Sequence, residues 1–327
     1  MEMPETDKAL AQLLRAIPYL IMMGCFFAAI TYIPSRREHE IKLQKLRLEA
    51  QNPKQQDETP KPSPQTSKNN ELPHPPPLKA SDHLTDAKHH LLLAATGSVA
   101  TIKLPNILHA LSHHPNLSIR ILLTPSATTF LQSQSPEQPS LPSLLAIPNV
   151  EAIYRDEDEW LVPWTRGAPI LHIELRRWAD LLVIAPLSAN SLAKISLGLS
   201  SDLVSSVVRA WDSTGGLIDK PRPGVALPYG EKRDRKGILV APAMNTAMWN
   251  HPVTARHLAM LEEWSVEKGG WIEVLRPIEK DLACGDMGGG AMKEWKDIVG
   301  VIEERLGLGS TGGEEEYVAI KGGKLAK

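Results

Sequence analysis

The sequence predicts an α/β fold: a single doubly wound, Rossmann-like domain built on a parallel sheet. Three observations predict it. Short, nearly continuous apolar runs recur along the chain, segments of helical period separate them, and most of the runs end in a polar or glycine-containing turn. Runs without polar alternation fit strands covered by helices on both faces, as parallel sheets require. The order strand, turn, helix, strand then makes right-handed crossover units.

Composition bounds the classes of function. The chain has 327 residues, 42% of them hydrophobic, enough for a packed core. A formal net charge of -2 gives none of the basic footprint of a nucleic-acid binder. Of the two cysteines, Cys25 lies in an apolar run and Cys284 in a glycine-rich segment. A disulfide between them is not expected, and a reducing compartment is.

Residues 1–15 form an N-terminal tail. No charge occurs from Ala16 to Ser35, a stretch long enough to cross a bilayer as one helix. Arg36, Arg37, Lys42, Lys45 and Arg47 follow, so the positive-inside tendency predicts a membrane tether with the C-terminal part in the cytoplasm. A cleaved targeting segment, a helix buried against a partner and a misjoined gene start are the other readings of this stretch. Residues 36–87 read as a linker, with Pro53, Pro60, Pro62, Pro64 and Pro73 among polar residues too hydrophilic to order themselves.

The folded domain is expected over 88–304. His89–Ala95 reads as the first strand, Thr96-Gly97-Ser98-Val99-Ala100 as a tight turn and Ile102–Ser112 as a helix. Leu117–Leu123 is the second strand, ending at Thr124-Pro125-Ser126. Ala179–Ala185 and Ile238–Ala241 are two more, with helices at Ser191–Leu199, Asp202–Ala210 and Val253–Trp264. Residues 213–236, rich in glycine, proline and charge, interrupt the pattern as a surface insertion. Residues 305–327 are expected to be a disordered tail.

Polar turns at strand ends are where open parallel sheets bind ligands. Ser98 sits where backbone N–H groups and a hydroxyl can cradle a phosphate at a helix start, and Thr124 and Ser126 add hydroxyls at the same rim. Ser188 and Asn190 add more, although each also fits a helix cap. Asn245 follows an apolar strand, and as a residue type it fits a turn or a carboxylate contact equally. Cys284 lies among Gly285, Gly288, Gly289 and Gly290, a composition read as a mobile loop. His172 alone reads as a surface residue or an acid–base catalyst near neutral pH. No metal site is expected, because His89, His90, His113 and His114 have no cysteine partners.

Five strings occur in one order: Leu91-Leu-Leu-Ala-Ala-Thr-Gly-Ser-Val-Ala100, His172-Ile-Glu-Leu-Arg-Arg-Trp-Ala-Asp180, Ile184-Ala-Pro-Leu-Ser-Ala-Asn190, Pro242-Ala-Met-Asn-Thr-Ala-Met-Trp249 and Ala283-Cys-Gly-Asp-Met-Gly-Gly-Gly-Ala-Met292. Together they resemble the family of flavin-containing cysteine decarboxylases that act on phosphopantothenoylcysteine, related to halotolerance-type proteins. The resemblance implies bound FMN, contacted at Gly97, Ser98, Val99, Ala100, Thr124, Ser126, Ser188, Ala189, Asn190 and Ser191, with Ala243 near the ring. It implies His172, Asn245 and Cys284 as catalytic residues: His172 for proton transfers, Asn245 for the substrate carboxylate, and Cys284 for the acid that completes the reduction. Substrate contacts fall at Asn245, Ala283 and Cys284. The reaction so implied turns 4'-phosphopantothenoylcysteine into 4'-phosphopantetheine in coenzyme A biosynthesis.

Because one chain holds all three residues, a homotrimer with sites between subunits is expected, or a mixed trimer with related chains. The competing reading is a halotolerance-type subunit that inhibits a protein phosphatase. Ala291 stands where many bacterial relatives have arginine, which leaves the substrate-phosphate contact open.

Overall fold

The computed structural model describes residues 72, 74–214, 236–281 and 287–309. The predicted membrane helix, most of the linker, nearly all of the 213–236 insertion, Ala283, Cys284 and the tail from 310 lie outside the described residues. Among the described residues no helix is long and apolar enough to cross a membrane.

Strands β1 (His89–Ala95), β2 (Leu117–Leu123), β3 (Val150–Arg155), β4 (Leu181–Leu187), β5 (Gly237–Pro242) and β6 (Ile272–Val274) make one sheet. Its order is β3-β2-β1-β4-β5-β6, and every pair is parallel. β1 and β2 have the bounds the apolar runs predict. Two edge strands, β3 and β6, extend the expected four.

Alternation along β1 assigns the two faces. Leu91, Leu93 and Ala95 share one apolar cluster with Leu104, Ile107, Leu108 and Leu111 of α1 (Leu104–Leu111). Leu92 and Ala94 share the other with Leu175 of α2 (Leu171–Trp178), Leu192 of α3 (Ala189–Ser196) and Val204 of α4 (Leu203–Ala210). Leu258 and Leu261 of α5 (Pro252–Glu263) join that second layer. Ile298, Ile302 and Leu306 of α6 (Trp295–Leu306) join the first, beside α1. Burial on both faces explains why these strands are apolar throughout.

Three expectations need correction. Leu72, Leu78 and Ala80 are buried, and Ala80–His83 forms a 3-10 turn whose Ala80 N–H donates to Glu174 Oε2 at 2.8 Å. The folded part therefore begins ahead of Lys88, because a few apolar residues in a polar segment suffice to dock it. α6 runs to Leu306, so the expected boundary at 304 falls inside its last turn; Gly307, at φ 64°, ends the helix in the left-handed conformation glycine favours. The described part of the glycine-rich segment is no loop. Met287–Ala291 is strand β8, paired antiparallel with β7 (Ile278–Asp281) in a separate hairpin.

Candidate active site

Order β3-β2-β1-β4-β5-β6 places a topological switch point between β1 and β4. Connections leave these two strands toward opposite faces and open a crevice at their carboxyl ends. Thr96, fully buried just past β1, pins the crevice floor. Its hydroxyl donates to Pro186 O at 3.0 Å and accepts from the Ser188 N–H at 2.7 Å, while its own N–H donates to Pro186 O.

Four residues that follow strands are helix N-caps, and all four border the crevice. Ser98, after β1, accepts from Ala100 N; Thr124, after β2, from Ala127 N; Ser188, after β4, from Ser191 N; and Asn245, after β5, from Met248 N. Capping and ligand binding, alternatives in the sequence, are compatible here, since a cap aims the N–H groups of a helix start outward. Gly97 lets the first two turns close on one another: a Cβ there would stand 2.6 Å from Ser126 Cβ.

The crevice has two connected parts. The larger, about 480 Å³, is lined by Ser98, Val99, Ala100, Ala189, Ala243 and Asn245 among others. The smaller, about 270 Å³, is lined by Thr124, Ser126, Ser191, Asp156, Lys194 and Asp202. Gly97, Ser188 and Asn190 border both. All the predicted cofactor residues thus lie on one continuous groove. Met248, 51% exposed, and Met244, buried, both line the larger part.

Asn245 is held in one orientation. Its Oδ1 accepts from Met248 N at 2.8 Å, which leaves the Nδ2 amide as the donor not used in the cap, on a residue that lines the groove. The β7–β8 hairpin approaches from above. Met244 N donates to Gly290 O at 3.0 Å. Gly290 has φ 109°, and a Cβ on it would stand 2.6 Å from Met244 O; one on Gly289 would stand 2.9 Å from the Trp249 ring. Only glycine lets β8 lie this close to Asn245.

Two acids stand in the smaller part. Burial pushes the Asp156 carboxyl above the usual range, opposed by a hydrogen bond from the Leu203 N–H. Burial also works against the Asp202 carboxylate, but hydrogen bonds from the Lys194 ammonium, the Ser205 N–H and the Ser205 hydroxyl hold it below the usual range.

His172 lies elsewhere. It begins the second position of α2, partly buried, with Nδ1 hydrogen-bonded to Oε1 of Glu159, a buried acid absent from the sequence expectations. A carboxylate can only accept, so Nδ1 carries the proton and Nε2 is the nitrogen left for chemistry. His172 lines neither part of the groove within one chain. Near it the connection after Glu159 exposes Trp160, Leu161, Val162 and Trp164 at 52–72%.

A doubly wound sheet with a capped, hydroxyl-lined crevice at its switch point defines a Rossmann-like mononucleotide-binding architecture, and over residues 79–307 the chain matches the Flavoprotein family. Among its relatives, a phosphopantothenoylcysteine decarboxylase of Arabidopsis thaliana is 44% identical over 211 residues, 64% of this chain and 81% of its own. A Schizosaccharomyces pombe protein named as a thymidylate synthase is 40% identical over 231 residues; the chain spans only 31% of that longer protein. A solved cysteine-to-serine variant of PPC decarboxylase, complexed with pantothenoylaminoethenethiol, superposes with a TM-score of 0.51 at 42% identity, covering 66% of this chain and 97% of that one. The FMN-binding protein AtHal3 superposes at 0.50 with 42% identity, covering 66% and 95%. The chain belongs to the flavoprotein family and, within it, to the phosphopantothenoylcysteine decarboxylases of the HAL3 type.

Proposed function

We propose that the chain catalyses FMN-dependent decarboxylation of 4'-phosphopantothenoylcysteine to 4'-phosphopantetheine, a step of coenzyme A synthesis. The observation that carries this reading is Asn245, whose Oδ1 is fixed by its cap and whose amide N–H groups are left over on a groove that also gathers the caps of three other strand ends. The groove suits FMN on its own terms. Hydroxyls of Thr124, Ser126, Ser188 and Ser191, the start of α3 and the Lys194 ammonium favour the phosphate at the smaller end. Asp156 and Asp202 oppose an anion there, and both are already engaged by donors. The larger end, next to Ala100, Ala189 and Ala243, has the apolar width a flat ring system needs.

FMN, when bound, supplies the two-electron sink without which loss of CO2 would leave an unstabilised carbanion. Asn245 Nδ2 holds the departing carboxylate by hydrogen bonds and leaves it without an ion pair that would oppose its loss of charge. His172, oriented by Glu159, accepts and returns protons through Nε2. Cys284 delivers the proton that completes the reduced product. Val99, Phe130 and Met248 give the larger end an apolar lining against which a flat ring can lie.

His172 reaches the groove from a neighbouring copy in a trimer, with the exposed Trp160–Trp164 connection beside it as the contact. Residues 16–35 tether the domain to a membrane with its groove in the cytoplasm. Carbonate extraction of membranes from cells making the full chain, beside a chain lacking residues 1–35, tests the tether: pelleting of the first and release of the second supports it, and release of both rejects it. A phosphatase pull-down tests the regulatory reading separately. CO2 release from 4'-phosphopantothenoylcysteine by wild type and Asn245→Ala tests the principal one.

A further inference from the structure

The turn that leads into β1 gathers groups for which the flavin chemistry has no use. His83, Asp86 and His90 each present one ligand atom, and these atoms lie within 4.8 Å of one another. His90 is fully buried and stacked on the Trp178 indole at 4.3 Å. Both of its ring nitrogens face acceptors: Nδ1 is 2.9 Å from Trp178 O, and Nε2 is 2.7 Å from Asp86 Oδ2. A backbone carbonyl cannot donate, so Nδ1 carries a proton and Nε2 is aimed at the carboxylate. Without an ion, a proton on Nε2 makes this contact an imidazolium–carboxylate pair; a divalent ion would take that proton's place, with the two atoms parting to the roughly 3.3 Å that two ligands of one tetrahedral ion keep. His83 Nδ1 stands 3.7 Å from the same carboxylate oxygen.

We propose that His83, Asp86 and His90 form a divalent transition-metal site of the Zn2+ class. Two imidazoles and one carboxylate suit Zn2+, Co2+, Ni2+ or Cu2+ and not the oxygen-seeking Mg2+ or Ca2+. The Nδ1–H bond from His90 to the Trp178 carbonyl is the kind of outer contact that fixes the tautomer and direction of a ligating imidazole. Three protein ligands leave a fourth, tetrahedral position for water. His83 and Asp86 are 29% and 25% exposed, which gives the ion a path in.

Arg120 tempers the affinity. Its Nη2 lies 3.4 Å from His83 Nε2, which takes up a proton when Nδ1 binds metal. Glu151 at 2.9 Å and Tyr154 Oη at 2.6 Å hold the guanidinium as it gives way. His90 is near the start of β1, whereas the groove opens beyond its last residue, roughly 16 Å away at strand rise. The ion is therefore structural. It clips the Ala80–His83 turn to the sheet.

The test uses the full chain without an affinity tag, loaded with FMN, stripped by a chelator, and titrated with Zn2+ by calorimetry and with Co2+ by absorption. One ion per chain, tetrahedral Co2+ bands, tighter binding as pH rises from acid to neutral, and a Tm raised by Zn2+ are expected. His83→Ala and Asp86→Asn should each weaken binding by about tenfold or more while FMN absorbance and CO2 release stay at wild-type levels. Exposed His113, replaced by alanine, should change nothing. Failure of the wild-type chain to bind Zn2+ saturably, undiminished binding by the His83→Ala/Asp86→Asn double variant, or loss of binding in Cys284→Ser instead would overturn the site.

Discussion

Asn245 can perform two tasks with one amide: Oδ1 caps the short helix Thr246–Trp249, which leaves Nδ2 as the donor for a carboxylate. Asn245→Asp keeps the cap and loses the donor, so FMN should remain bound while kcat/KM falls by about a hundredfold or more, read by steady-state CO2 release. The two groove acids separate by the sign of their pH dependence. Asp202, held low, stabilises the fold above the unfolded carboxylate pKa of about 3.9, and that contribution disappears as pH falls through its lower folded value. Asp156, pushed up by burial, does the reverse: it favours the fold at acid pH and costs stability as pH rises through its folded value. Melting curves from pH 3 to 8 should therefore find Asp202→Asn destabilised at neutral pH with a gap that closes in acid, and Asp156→Asn level in acid with a Tm at or above wild type at neutral pH. Motif residues such as Ser98, Thr124, Ser188 and Asn245 were legible in the sequence because a strand end followed by a capping residue is a local signal. Glu159, thirteen positions before His172 and on a different element, was not, since only tertiary contact pairs them.

At the scale of elements, the central strands were legible because burial on both faces leaves an apolar run. β3 carries Glu151 and Arg155 on an edge, and β6 has only three residues, so neither gives such a run. α2 escaped the helical pattern because its buried side includes Glu174 and Arg176. α6 carries a legible signal, since Ile298, Ile302 and Leu306 repeat at helical spacing across the expected boundary at 304. Two substitutions test how elements hold the groove. Thr96→Val strands the buried Ser188 N–H between β1 and β4, and should cost about 1–3 kcal/mol in denaturant unfolding, with weaker FMN retention. Gly290→Ala forces a positive-φ residue and a Cβ against Met244 O. The hairpin should shift, so activity should fall while flavin absorbance persists; wild-type turnover in this variant would mean the hairpin has no part in catalysis.

At the scale of the whole molecule, one chain supplies a groove with Asn245 and, away from it, the His172–Glu159 pair. No local sequence signal distinguishes a site built within one chain from one shared between copies. Co-expression of His172→Asn and Asn245→Ala, each inactive alone, addresses this directly. Random mixing in a shared-site trimer rebuilds about a quarter of the sites, and no recovery would mean that each subunit works alone. The flavin chemistry itself is tested by incubating the FMN-loaded chain with 4'-phosphopantothenoylcysteine and following CO2 and thiol product by mass spectrometry, beside Cys284→Ser. Wild type should release CO2 and form 4'-phosphopantetheine, whereas the variant should release CO2 and stop at a product two hydrogens lighter, the enethiol. Absence of CO2 above free FMN, or fully reduced product from Cys284→Ser at the wild-type rate, would contradict it.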